Sequence, residues 1–86
     1  MPSIQDVANA AYRIGDNARE LAQRSMLCAD AIGKHADRLN VIVKGSASGE
    51  EAVRRVGQAQ AAVRQSAGMM TTLDTAIKAL IAELAR

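Results

Sequence analysis

The sequence predicts an all-α protein, an antiparallel two-helix hairpin paired into a four-helix bundle. Three observations predict it. The 86 residues contain 18 Ala, no Phe and no Trp, and Tyr12 is the one aromatic side chain. Ala, Leu, Arg, Gln and Glu favour helix, while a sandwich or barrel would call for aromatic and β-branched strands. Apolar residues recur at alternating spacings of three and four through two long stretches. One dense cluster of turn residues, Lys44-Gly45-Ser46-Ala47-Ser48-Gly49, separates those stretches. A chain of this length forms one domain, 1–86.

The first helix is expected over about residues 3–44. Ser3 follows Pro2 and stands three residues before Asp6, which reads as an amino-terminal cap with an acidic first turn. Ile4, Val7, Ala11, Ile14, Ala18, Leu21, Ser25, Cys28, Ile32, His35, Leu39 and Ile42 then form a heptad stripe. Ala22, Leu27, Ala29, Ala31, Ala36 and Val41 widen it on either side.

The turn is expected at 45–48. Gly45 suits a left-handed carboxyl cap, and Lys44 suits the negative end of the helix dipole. Ser48 and Glu51 have the spacing of a capping box for a second helix over about 49–85. Its stripe runs Val53, Val56, Gln60, Val63, Ala67, Met70, Asp74, Ile77, Ile81 and Leu84, with Gln60 and Asp74 as polar members. Ala52, Ala59, Ala62, Leu73 and Leu80 form a neighbouring apolar row. Gly68-Met69-Met70-Thr71-Thr72 has the weakest helix propensity, so a bend or fraying is expected there. Acid-before-base pairs at i, i+4 are expected to line solvated faces: Glu20–Arg24, Asp30–Lys34, Glu50–Arg54, Glu51–Arg55 and Asp74–Lys78.

Helices of about 40 residues span roughly 60 Å, and so short a turn folds them back antiparallel. The apolar rows are too wide for one partner helix, so a second hairpin is expected to cover them. The interaction face is assigned to Ile14, Leu21, Ile32, Leu39, Val56, Val63, Met70, Ile77 and Leu84. The partner is another copy of the chain or a different protein.

Other chemistry finds little support. His35 lies on the first stripe and reads as a packed or register-setting residue. Cys28, the sole cysteine, reads as a small buried hydrophobe and can form no internal disulfide. No base and orienting group can be assigned to it as a nucleophile. Neither residue has ligands converging on it. No catalytic, cofactor-binding or metal site is therefore predicted, and no small-molecule substrate. Glycines 45 and 49 follow a helix and lack the Lys of a phosphate loop. The histidine-phosphotransfer signature would place its His at position 41, which is Val. Arg54, Arg55, Arg64 and Lys44 are interrupted by Glu50 and Glu51, and no aromatic platform exists, which argues against nucleic acid. The net charge is only +2. The longest apolar runs fall far short of the about 20 residues of a membrane span. The amino end lacks the charged and apolar regions of a cleavable signal peptide. A cytoplasmic protein is expected, or one secreted without such a peptide.

The layout resembles the WXG-like family of small type VII secretion substrates. Val43-Lys44-Gly45 occupies the place of that family's Trp-x-Gly turn, followed by Ser48 and Glu51. Gly45 matches, and Val43 stands where the family has Trp. The family's export signal is a Tyr followed four residues later by an acid, and Tyr12 with Asp16 is the matching pair in this sequence. The resemblance implies a bacterial helical hairpin that pairs as a homodimer or heterodimer. It also implies a role as partner or targeting subunit for a larger secreted effector. Two rivals carry no secretion link: a self-assembling coiled-coil scaffold or adaptor, and an antitoxin or nucleic-acid-binding regulator.

Overall fold

The computed structural model describes residues 2–86 and contains two helices. Helix α1 runs Ile4–Val43 and α2 runs Ala47–Leu84, packed against each other as a hairpin. Its dimensions are 63 × 20 × 13 Å. The long axis matches a 40-residue helix, and the shortest is little more than one helix diameter.

Both helix starts are held by serine caps. Ser3 Oγ accepts from the Asp6 amide at 3.1 Å, and Asp6 Oδ2 accepts from the Ser3 amide at 3.1 Å, completing a capping box. The second cap differs from expectation. Ser46, not Ser48, caps α2, its Oγ accepting from the Gly49 amide at 3.2 Å. The Ser48–Glu51 capping box does not form, and α2 begins at Ala47. Gly45 is the reason. Its φ of +91° reverses the chain in a single left-handed residue, so Ser46 is already extended and ready to cap. The Gly45 amide is taken up by Glu50 Oε1 at 3.3 Å. Across the turn, Val43 packs on the backbone of Gly49, where a Cβ would stand 2.5 Å from the Val43 Cβ.

Burial shows which rows face each other. On α2 every member of the predicted stripe, from Val53 to Leu84, is buried or half-buried. On α1 the shielded positions are Ala8, Ala11, Gly15, Ala18, Ala22, Ser25, Ala29, Ile32, Ala36, Leu39 and Val43, with Gly33 beside them. This corrects the predicted α1 stripe. Only its Ala11, Ala18, Ser25, Ile32 and Leu39 row is retained. The row at Val7, Ile14, Leu21, Cys28, His35 and Ile42 is exposed, and a row of smaller residues one position along takes its place.

The two polar members of the α2 stripe explain the exchange. Gln60 reaches across the seam and donates from Nε2 to the Ala29 carbonyl at 3.0 Å. A Cβ on Gly33 would lie 2.6 Å from that nitrogen. Asp74 is 6% exposed and faces Gly15, where a Cβ would lie 3.3 Å from its Oδ1. Arg19 Nε and Lys78 Nζ each hold its carboxylate at 3.2 Å. Each polar side chain thus occupies space that a glycine on α1 leaves open. The expectation that Asp74 and Lys78 pair on a solvated face holds for Lys78 alone.

Of the other expected pairs, Glu20–Arg24 forms at 3.0 Å and Glu51–Arg55 at 3.4 Å. Asp30 bridges instead to Arg64 on α2 at 3.6 Å, and Arg54 turns to Glu51 rather than Glu50. The Gly68–Thr72 stretch does not fray, and α2 runs unbroken through it. Thr71, Thr72 and Thr75 turn their hydroxyls onto the carbonyls one helical turn back, each at 3.1 Å.

Three predictions follow from the glycines. Gly49→Ala forces the Val43 side chain to move and lowers stability by about 1–3 kcal/mol. Gly57→Ala, with open space around it, raises stability by about 0.5–1 kcal/mol through helix propensity. Urea unfolding followed by circular dichroism reads both. Gly33→Ala drives the Gln60 amide off the Ala29 carbonyl, so its effect depends on Gln60. In a Gln60→Ala background the same change is more favourable by about 0.5–1.5 kcal/mol, the worth of the lost hydrogen bond.

Candidate functional site

In an antiparallel hairpin with these seams, one flank is formed by two rows. They are Val7, Ile14, Leu21, Cys28, His35 and Ile42 on α1, and Leu80, Leu73, Ser66, Ala59 and Ala52 on α2. The shallow groove lined by Val7, Ile14, Ile77 and Leu80, with Asp6 at its edge, places the two rows side by side near the chain termini. None of these eleven positions carries Asp, Glu, Lys or Arg. Leu21 and Ile14 are each 49% exposed and Ile42 is 79% exposed, whereas the buried hydrophobic residues among the described residues are all alanines.

The opposite flank is different in kind. Its rows contain Arg19, Arg64, Lys78 and Glu50. Among the described residues, the two ion pairs that cross between the helices lie there, Arg19–Asp74 at 3.2 Å and Arg64–Asp30 at 3.6 Å. A groove on this side near the termini is lined by Ile4, Tyr12, Ile81 and Leu84. The hairpin therefore has one flank cross-linked by charge, although Tyr12 and Met26 are exposed there too, and one whose two facing rows carry no charge.

The predicted interaction residues divide between these places. Ile14 and Leu21 lie exposed on the uncharged flank. Ile32, Leu39, Val56, Val63, Met70, Ile77 and Leu84 are half-buried along the hairpin's own seam. Sequence reasoning left Val7, Ile42, Leu73 and Leu80 out of the interaction face, although all four are exposed. The signal for Leu73 and Leu80 was the second apolar row of α2. Cys28 and His35 are exposed on the uncharged flank, which corrects the expectation that both are packed.

The turn residues are held as described: Val43 half-buried, Gly45 with positive φ, Ser48 exposed, and Glu51 binding Arg54 and Arg55. Tyr12 is exposed at the pole where the chain ends, beside Leu84 and Ala85. Asp16 is bound to Arg19, which thereby joins Asp16 and Asp74 in one chain of charges. Among the described residues no three His, Cys, Asp or Glu side chains converge on a metal position. No helix among them is long and apolar enough to cross a membrane. No protein-family model, curated protein or solved structure matches the chain.

Proposed function

We propose that this chain is a non-enzymatic interaction subunit that docks its uncharged flank on a second helical hairpin and completes a four-helix bundle. The observation that carries this reading is the contrast between the two flanks. Apolar area removed from water contributes about 25 cal/mol per Å². The hairpin alone leaves the larger side chains of one flank in solvent while burying alanines. A partner hairpin on that flank supplies the missing layer without disturbing the ion pairs opposite.

The partner-subunit role follows from the resemblance to WXG-like type VII secretion substrates. The hairpin shape and the left-handed Gly45 at the turn support it. In this role the chain accompanies a larger secreted effector, and Tyr12 with Asp16 serves as the export motif. Tyr12 stands at the pole of the chain's end, where that family carries its signal.

Complexes purified under native conditions test the docking. Leu73→Glu on the uncharged flank weakens association by about 2 kcal/mol, roughly 30-fold in Kd. Met26→Glu on the opposite flank leaves it unchanged. Equal behaviour of the two variants in sedimentation velocity refutes the reading. Tyr12→Ala tests the export role separately. It leaves helicity and association intact and abolishes appearance of the protein outside cells that carry a type VII apparatus. Undiminished export removes Tyr12 from that role.

A further inference from the structure

The largest exposed apolar side chains are not confined to the docking flank. Among the described residues, Ile42, Val41 and Leu27 are the three most exposed large hydrophobics, at 79%, 77% and 70%. Ile42 ends the uncharged row at the turn, but Leu27 and Val41 belong to neither flank. With Lys34 they recur every seven residues on the back of α1, opposite its seam positions Ala29, Ile32, Ala36 and Leu39. A partner hairpin seated on the uncharged flank leaves them in water.

The charges of this face have one sign. From Leu27 to Ile42, the back of α1 and the rows beside it towards the uncharged flank carry Lys34, His35 and Arg38 and no Asp or Glu. Asp30 and Asp37 stand one row to the other side, and Asp30 is turned to Arg64 on α2 at 3.6 Å. Lys34, Arg38 and Lys44 are exposed and enter no ion pair among the described residues. Arg24, the next cation towards the start of the chain, is held by Glu20 at 3.0 Å. The turn end of α1 therefore interleaves unpaired cations with its most exposed apolar side chains.

A nucleic acid engages cations through its phosphates and leaves Leu27, Val41 and Ile42 in water. The core of a protein interface sheds lysine, whereas Lys34 sits midway between Leu27 and Val41. An anionic lipid surface takes both sets at once. Apolar side chains enter the headgroup layer, while the stems of Lys and Arg reach up to the phosphates. We propose that the back of α1 from Leu27 to Lys44 binds the surface of a membrane rich in anionic phospholipid. The helix lies along that surface over about 21 Å, the fourteen residues from Leu27 to Val41 at 1.5 Å each. Its apolar side chains reach about 5–10 Å into the headgroup layer. The contact is peripheral, since no helix among the described residues is long and apolar enough to cross.

Flotation of the full chain with phospholipid vesicles tests this. Wild-type protein is expected to float with vesicles of equal parts phosphatidylglycerol and phosphatidylcholine and not with phosphatidylcholine alone, and added salt weakens the binding. Lys34→Gln combined with Arg38→Gln lowers the binding constant about 30-fold, about 5-fold for each cation at about 1 kcal/mol. Arg13→Gln combined with Arg86→Gln removes the same net charge near the termini and changes binding by less than about 3-fold. Leu27→Ser combined with Val41→Ser weakens binding at least about 10-fold. All these positions are exposed, so circular dichroism is expected to show full helicity in each variant. Absence of binding to the anionic vesicles overturns the proposal, as does an equal loss in the two charge variants. Undiminished binding of the serine variant removes the apolar side chains from the contact and overturns it too. Duplex DNA bound equally by wild type and the serine variant assigns the cations to a nucleic acid instead. Leu73→Glu leaves vesicle binding in place, so this inference and the docking reading fail separately.

Discussion

The close approach of α1 and α2 along a seam of small residues is the constraint on which the rest of the molecule depends. Ala11, Ala18, Ala29 and Ala67 are its buried hydrophobic members, and Ala29 is fully shielded. Residues this small let two helices approach closely, but they bury little area. The seam therefore gains its specificity from polar contacts. Gln60 holds the Ala29 carbonyl beside Gly33, and Asp74 sits against Gly15 between Arg19 and Lys78. A one-residue slip would set Gln60 or Asp74 against a Cβ and strand a polar group, which is costly away from water. An apolar seam made only of alanines would tolerate such slips. The two polar side chains and their two glycines therefore fix the register of the hairpin.

The same constraint decides where the larger side chains go. Rows of small and large residues lie side by side on α1, and only the small row fits against an α2 that presents Gln60 and Asp74. Val7, Ile14, Leu21 and Ile42 are thereby displaced to the flank. Exposure of these residues is thus a consequence of how α1 meets α2 rather than a failure of packing. The charged contacts Arg19–Asp74 and Arg64–Asp30 gather on the other side. One flank is fastened by charge and the other is left for apolar contact.

Much of the fold was legible in the residues. Ser3 with Asp6 marked the start of α1, Gly45 marked its end, and the α2 stripe from Val53 to Leu84 matches the observed seam even at its polar members. Two features were not legible, for definite reasons. On α1, two stripes share the row of Ala11, Ala18, Ser25, Ile32 and Leu39. One completes it with Ile14 and Leu21, the other with Gly15 and Ala22. Both alternate three and four, so periodicity cannot choose between them, and hydrophobicity favours the wrong one. The choice depends on Gly15 and Gly33 lying opposite Asp74 and Gln60, a relation between distant segments that spacing within one helix does not contain. At the turn, Ser46 and Ser48 both precede plausible helix starts. The Ser48–Glu51 spacing looked better locally, but the single positive-φ residue at Gly45 puts Ser46 at the cap.

The turn also bears on the resemblance to WXG-like proteins. Val43, which stands where the resemblance would place Trp, packs on the Gly49 backbone so closely that a Cβ there would stand 2.5 Å away. A bulky indole at this place would push the first turn of α2 outward and separate the helices near the turn. With Val43, the seam continues right up to the turn through half-buried Leu39, Val43, Gly49 and Val53. Val43 and the small seam are therefore parts of one solution, in which close helix approach is kept along the whole hairpin. A side chain as small as Val43 is what that approach requires at this position.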